Sequence, residues 1–199
     1  MSEAVGIHLP DDTGLLRTLR AGTRVLLSGP VYTARDATHV RLLEDLETAG
    51  ALPFGLEGQV LFYAGPTPPA AGRPAGAVGP TTASRMDVWT PRLLEAGVAA
   101  TIGKGPRSAA VRQACVEHGA VYLASVGGVA ALLATKVVSA ETVAYGDLGP
   151  EALVRMELDE LPVWVALDAV GNDLYEEARA GLDGAVRGVA DIEGAVDDA

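Results

Sequence analysis

The chain has 199 residues, 49% of them hydrophobic and 21% charged, which is enough to bury a real core and suits one domain. Its formal net charge is −11, and no Lys/Arg-rich run offsets it, so nucleic-acid partners are not expected. No apolar run reaches the roughly 18 to 20 residues of a membrane span, and the first ten residues lack a signal-peptide pattern. Cys115 is the single cysteine, so the chain can form no internal disulfide and cannot by itself hold a structural zinc or an iron–sulfur cluster; a cytoplasmic location is the default expectation.

In chain order, residues 24–28 predict a short buried strand ended by Gly29-Pro30. Residues 36–49 carry helical periodicity, with Val40, Leu42, Leu43 and Leu46 marking an apolar face. A strand over 59–64 leads into a Gly-, Pro- and Ala-rich stretch, 65–80, of the length that in compact domains serves function or moves. A helix is expected over 87–96 and a strand over 98–102. A helix over 108–118 is stopped by Gly119, a strand follows over 120–124, and a helical stretch over 129–135 comes after Gly127-Gly128. Short strands follow at 137–138, 142–145, 153–158 and 163–167, with a turn at Gly171-Asn172. The glycines of 176–199 argue against a stable helix there, and this acidic tail is expected to be mobile or partly ordered. Alternating strands and helices through residue 135 predict an α/β domain with a largely parallel sheet, whose ligand loops follow the carboxyl ends of strands. The glycine-rich loops 29–34, 65–80, 103–107 and 125–128 all follow predicted strands.

The most informative stretch is 79–87, Gly-Pro-Thr-Thr-Ala-Ser-Arg-Met-Asp. Thr81 and Arg85 are four apart and share a face if a helix begins there, with Thr82 as a second hydroxyl. Backbone N–H groups, hydroxyls and a guanidinium at a helix start can hold a carboxylate or phosphate. The plain alternative is a threonine cap with Arg85 in a surface ion pair; the glycine-rich approach favours the ligand loop. Lys104 is one of two lysines and stands between Gly103 and Gly105. It does not belong to a phosphate loop: five residues separate Gly97 from Gly103 where that motif needs four, and Gly105 occupies the Ser/Thr position. A point charge for a carboxylate fits it better. Arg35-Asp36-x-x-His39 opens a helix after a strand and turn, though an ordinary Asp36 cap would look the same. Gly127-Gly128 could expose helix N–H groups or serve close packing. Cys115 reads as a small core residue and no metal site is expected.

Together, Thr33 to His39, Tyr63-Ala64-Gly65-Pro66, Gly79 to Asp87, Ile102 to Gly105, Val121-Tyr122-Leu123 with Gly127-Gly128, Leu161-Pro162 and Asp168 to Asn172 resemble one family. Their order and spacing are similar to the β subunit, or C-terminal domain, of iron–sulfur class I fumarate hydratases and L-tartrate dehydratases, over roughly residues 5–178. The resemblance implies a three-layer β/β/α swivelling domain over 1–178, with 179–199 as the acidic tail. It implies a [4Fe–4S] cluster on a separate α subunit, acting as a Lewis acid on a C4 dicarboxylate, while this chain binds no cofactor alone. Arg35, Arg85 and Lys104 match the family's substrate-binding cations, and Thr81 matches a substrate-binding hydroxyl proposed for proton transfer. Asp36, His39, Thr82, Gly127 and Gly128 are supporting candidates, His39 as an anchor of the Arg35 loop.

Two forked guanidiniums and an ammonium can position both ends of a dicarboxylate and stabilise the aci-carboxylate formed on proton removal. Thr81 is a weak base and would need activation by an acidic group of the α subunit or of a neighbouring protomer. The first expectation is therefore a hydro-lyase of the tricarboxylic acid cycle type, hydrating fumarate to (S)-malate, inactive without its α subunit and assembled as a homodimer or α2β2. The second is an L-tartrate or other 2-hydroxy-dicarboxylate dehydratase β subunit. The third is a non-catalytic carboxylate-binding or assembly module.

Overall fold

A computed structural model describes residues 3–182. Strand β1 (Val5–His8) and a single helical turn, α1 (Thr13–Leu16), precede the long strand β2 (Arg24–Thr33). Then follow α2 (Asp36–Ala49), β3 (Val60–Phe62), a 3-10 turn (Ala83–Met86), α3 (Thr90–Glu95), β4 (Ala100–Gly103), α4 (Ala109–His118), β5 (Val121–Ala124) and α5 (Ala130–Ala134). Strand β6 (Val137–Ala144), a 3-10 segment (Gly146–Glu151), β7 (Leu153–Leu167) and α6 (174–182) complete the described chain.

The fold is α/β, and its sheet is mixed rather than largely parallel. Seven strands run in the order β1-β2-β3-β4-β5-β7-β6, with β2 also paired to β7. Neighbours from β1 to β5 are parallel, whereas β7 runs antiparallel to β2, β5 and β6. The extra β2–β7 pairing closes β2, β3, β4, β5 and β7 into a ring. Length makes this feasible: β2 carries β1 along residues 25–28 and β3 along 32–33 of one edge, while its other edge follows β7 from Trp164 to Val154.

Closure explains two departures from the expected elements. The strand over 24–28 does not stop at Gly29-Pro30. Pro30 lies between the register of β1 and that of β3, an interval in which that edge of β2 has no ladder to interrupt. Gly29 has φ 100, and a Cβ there would sit 2.3 Å from the Leu9 carbonyl oxygen, so only glycine fits. The strands expected at 153–158 and 163–167 are likewise one strand, bent at Glu160 (φ 53), whose N–H donates to Ser28 Oγ at 2.9 Å. Those at 137–138 and 142–145 merge into β6 through two register shifts. At the C-terminus, residues 174–182 are helical, contrary to the expected absence of a stable helix from 176 onward; residues 183–199 of the expected tail lie outside the described residues.

Alternating side chains of β3, β4 and β5 divide the core. Val60, Phe62, Ala100, Ile102, Val121 and Leu123 fill the ring with residues of β2 and β7. Leu61, Tyr63, Tyr122 and Ala124 face the other way and pack with Leu42 of α2, Leu93 and Leu94 of α3, and Val111 and Cys115 of α4. Strands buried on both faces read as continuous apolar runs, which is why these were legible. Helix α2 has the predicted ends, but its buried face is Thr38, His39, Leu42 and Leu46, with Val40 exposed. No helix among the described residues is long and apolar enough to cross a membrane.

Candidate functional site

The parallel strands β2 to β5 end side by side, and the residues singled out in the sequence follow their carboxyl ends. Arg35 and Asp36 lie just past β2, Lys104 just past β4, and Gly127-Gly128 in the turn past β5. Thr81 reaches this row by the long loop after β3, which returns so that Pro80 pairs with Ala64 and Thr82 with Lys104. Thr81 N–H donates to the Tyr63 carbonyl at 2.7 Å, Lys104 N–H to the Thr81 carbonyl at 3.1 Å, and Ala83 N–H to the Lys104 carbonyl at 2.9 Å. The Thr81 backbone is thus held between the ends of β3 and β4, as an extra rung of the sheet.

Arg85 is the hub of the side chains. Its Nε and Nη2 donate to Asp36 Oδ1 and Oδ2 at 3.1 and 2.6 Å, a two-pronged pair that fixes the guanidinium plane. Its Nη1 donates to Thr81 Oγ1 at 3.4 Å. A cation beside that hydroxyl favours its deprotonated form. Arg35 leans on Glu151, Nη2 to Oε1 at 3.5 Å, and its Nε is buried with no hydrogen-bond partner among the described residues. Glu151 in turn accepts the Ala37 N–H at 2.8 Å. Lys104 extends across Gly127, where a Cβ would lie 3.3 Å from its Cδ, and makes no ion pair among the described residues. Arg35, Arg85 and Lys104 thus follow one sheet edge, Arg35 and Arg85 each paired with a carboxylate and Lys104 with none among the described residues.

The 3-10 turn changes how the Thr81–Arg85 pair works. The helix expected at 87–96 starts at Thr90, and residues 83–86 form only a 3-10 turn, so little helix dipole points at the site. Ala83 N–H is already used by Lys104. Thr82 sits at the cap position but its side chain caps nothing. An anion held here would meet cations and one hydroxyl rather than a helix terminus.

Beneath the row lie groups that hold it in place. His39 is fully buried, stacked edge-on to Tyr63 at 5.2 Å and beside Trp89 at 5.7 Å. Its Nδ1 lies 2.7 Å from the Arg35 carbonyl oxygen, which can only accept, so Nδ1 carries the proton. Burial pushes the ring down from its ordinary 6.5 to about 4, against the opposing pull of the Arg35 carbonyl, so it is neutral.

The sequence reading missed Arg107 and Asp87. The Arg107 side chain is fully buried and donates to Asp87 Oδ1 at 2.6 Å, Thr90 at 2.7 Å and Thr101 at 3.2 Å. It also lies over the rings of Tyr63 and Tyr122 at 5.2 and 4.8 Å. Asp87 Oδ2 accepts the Ser108 N–H at 2.6 Å, and Tyr122 donates to the Gly105 carbonyl at 2.9 Å. One carboxylate thus ties the end of the Thr81–Met86 segment to the end of the Lys104 loop. Asp87 closing one motif and Arg107 closing the other was the available signal, but nothing local says that they meet.

No three His, Cys, Asp or Glu side chains among the described residues are grouped as metal ligands. An iron–sulfur cluster does not fit the donor set either. Cys115 is buried in the helix-side core with its thiol pushed up to about 12 by burial, far from a ligating thiolate. A cavity of about 420 Å³ is walled by Pro66, Thr67, Ala75, Thr142, Pro150 and Val154, and Arg35, Thr81, Arg85 and Lys104 do not line it.

Residues 2–178 match the family described as Fumarase C-terminus. The anaerobic class I fumarate hydratase of Escherichia coli is 39% identical over 157 residues, which are 78% of this chain and 29% of that protein. Fumarate hydratase 2 of Leishmania major is 38% identical over 161 residues, 80% of this chain and 28% of that one. A provisionally named L(+)-tartrate dehydratase subunit beta of Methanocaldococcus jannaschii is 37% identical over 170 residues, 82% of this chain and 87% of that one. The chain spans under a third of the length of these fumarate hydratases and most of the length of the β subunit. It belongs to the fumarase C-terminus family.

Proposed function

We propose that this chain is the β subunit of a two-subunit iron–sulfur hydro-lyase that hydrates fumarate reversibly to (S)-malate. The observation that carries the reading is the convergence of Arg35, Thr81, Arg85 and Lys104 along one sheet edge. A three-layer β/β/α swivelling domain, with β2–β7, β3–β5 and the helices as layers, is the fold type proposed with it. The [4Fe–4S] cluster belongs on an α subunit, because a single buried cysteine cannot ligate it. The assembly is a homodimer or α2β2 built around that partner.

In this reading the cations grip the two carboxylates, and Arg85 is poised by Asp36 so that Nη1 remains directed at Thr81. Thr81 is the residue nearest the transferred proton, its hydroxyl activated by an acidic group of the partner. His39 anchors the Arg35 turn. Thr82 pairs with Lys104 through the backbone, and Gly127-Gly128 leave room for the lysine. A second reading, an L-tartrate or other 2-hydroxy-dicarboxylate dehydratase β subunit, draws support from the 87% coverage of the M. jannaschii β subunit, whose chain has the same extent.

The test is anaerobic reconstitution with a cluster-bearing partner and a panel of fumarate, (S)-malate and L-tartrate. The chain alone should be inactive and the complex should favour fumarate. Arg85→Ala should lower kcat/KM at least tenfold, as loss of a charged hydrogen bond of about 1.5–3 kcal/mol does. Turnover by the isolated chain, or wild-type kinetics in the Arg85→Ala complex, would sink the proposal; preference for tartrate would install the second reading.

A further inference from the structure

We infer that Ser125 is a further substrate-contacting residue of this site, its hydroxyl donating to the carboxylate that Lys104 faces. This rests on the dicarboxylate reading above and adds a residue that the motifs do not mark.

Register brings Ser125 there. In the parallel pair β4–β5, Ile102 lies opposite Leu123 and Gly103 opposite Ala124. Ile102 and Leu123 both face the ring interior, whereas Ala124 faces the helices. Ser125 N–H donates to the Gly103 carbonyl at 2.8 Å, the last bond of this ladder, which fixes the residue directly after β5 against the end of β4. With alternating faces, the next pair on the interior side is Lys104 and Ser125. The Lys104 side chain then crosses Gly127, two residues beyond Ser125, which keeps both polar groups at the same open end of the ring. Ser125 completes the row: Arg35 after β2, Thr81 inserted after β3, Lys104 after β4, Ser125 after β5.

Its chemical state points the same way. Ser125 is only 6% exposed, and its Oγ has no hydrogen-bond partner among the described residues. A buried hydroxyl without a partner destabilises a fold, and alanine would fit the same space without that cost. A serine there is explained by a ligand that arrives from the open end and accepts a hydrogen bond from the hydroxyl. Serine supplies one rotatable donor, which suits a carboxylate oxygen already held by an ammonium.

The experiment compares wild type with Ser125→Ala in two measurements. Kinetics and equilibrium binding of fumarate and (S)-malate are taken on the complex reconstituted with the cluster-bearing partner, and thermal midpoints on the 199-residue chain. KM and Kd should rise about tenfold or more, while the midpoint of the Ser125→Ala chain stays equal to wild type or rises. An unchanged Kd would overturn the inference, and so would a lowered midpoint, which would show that the hydroxyl holds the fold. A wild-type complex that binds fumarate without converting it would sink the hydro-lyase reading while Kd still judges Ser125. A wild-type complex that binds neither ligand would overturn both.

Discussion

Acid should destabilise this protein through His39 before most carboxylates titrate. The folded protein holds that ring neutral to about pH 4, whereas the unfolded chain protonates it near the ordinary 6.5. The unfolded state therefore binds more protons between these values. The stabilising contribution is complete above 6.5 and is lost as the pH falls toward 4. At about 1.36 kcal/mol per pH interval the whole loss is about 3 kcal/mol, and about 2 kcal/mol has gone by pH 5. The cause is structural: the ring is sealed against Tyr63 and Trp89, and Arg107 adds to the penalty on a second positive charge. Urea unfolding at a series of pH values between about 7.5 and 5, run on wild type and His39→Gln, isolates the contribution, because only wild type carries this histidine. The wild-type profile should fall more steeply by about 2 kcal/mol. Parallel profiles for the two proteins across that window would refute the reasoning, and a ring titrating near 6.5 by NMR would do the same.

Asp87→Ala leaves the buried Arg107 guanidinium without its counter-charge and should cost about 3–5 kcal/mol in urea unfolding; a loss below about 1 kcal/mol would mean that the clamp between the two loops is not structural. Gly103→Ala puts a Cβ 2.9 Å from Ala83 Cβ and 3.1 Å from the Tyr63 ring, so it should cost about 1–3 kcal/mol and push the Thr81 segment off Lys104. Wild-type stability and activity in that variant would contradict the packing described. Cys115, 1% exposed with its thiol pushed up to about 12, should react with a thiol reagent only on unfolding, and rapid labelling of the native chain would show an opening at the helix-side core.

Helix α2 illustrates what was legible. Its ends, Asp36 and Ala49, were readable because periodicity and the terminal Gly50 are local signals. Its buried face was misjudged at Val40, because burial depends on what the helix packs against. Strand β1 went unread: four residues with Ile7 alone buried give no pattern until β2 pairs with them. Gly29-Pro30 looked like a strand end and 159–162 like a gap between two strands, since local rules do not know that one edge is vacant or that a partner bends in step. Arg35, Thr81, Arg85 and Lys104 were singled out from loop chemistry and from the family resemblance, whereas Asp87, Arg107 and Ser125 lay inside the marked segments 79–87, 103–107 and 125–128 with nothing local to single them out, and Glu151 lay outside them.

The sequence by itself determined most of the helices and the apolar strands between residues 24 and 135, that a single cysteine cannot build a cluster, and which family the chain resembles, because these depend on composition and short-range order. The tertiary structure decided the closure of the ring through β2 and β7, the pairing of Arg85 with Asp36 across 49 residues, and the neutral state of His39. Those are matters of distance and desolvation between chemically ordinary residues, and only the folded chain brings them within reach of one another.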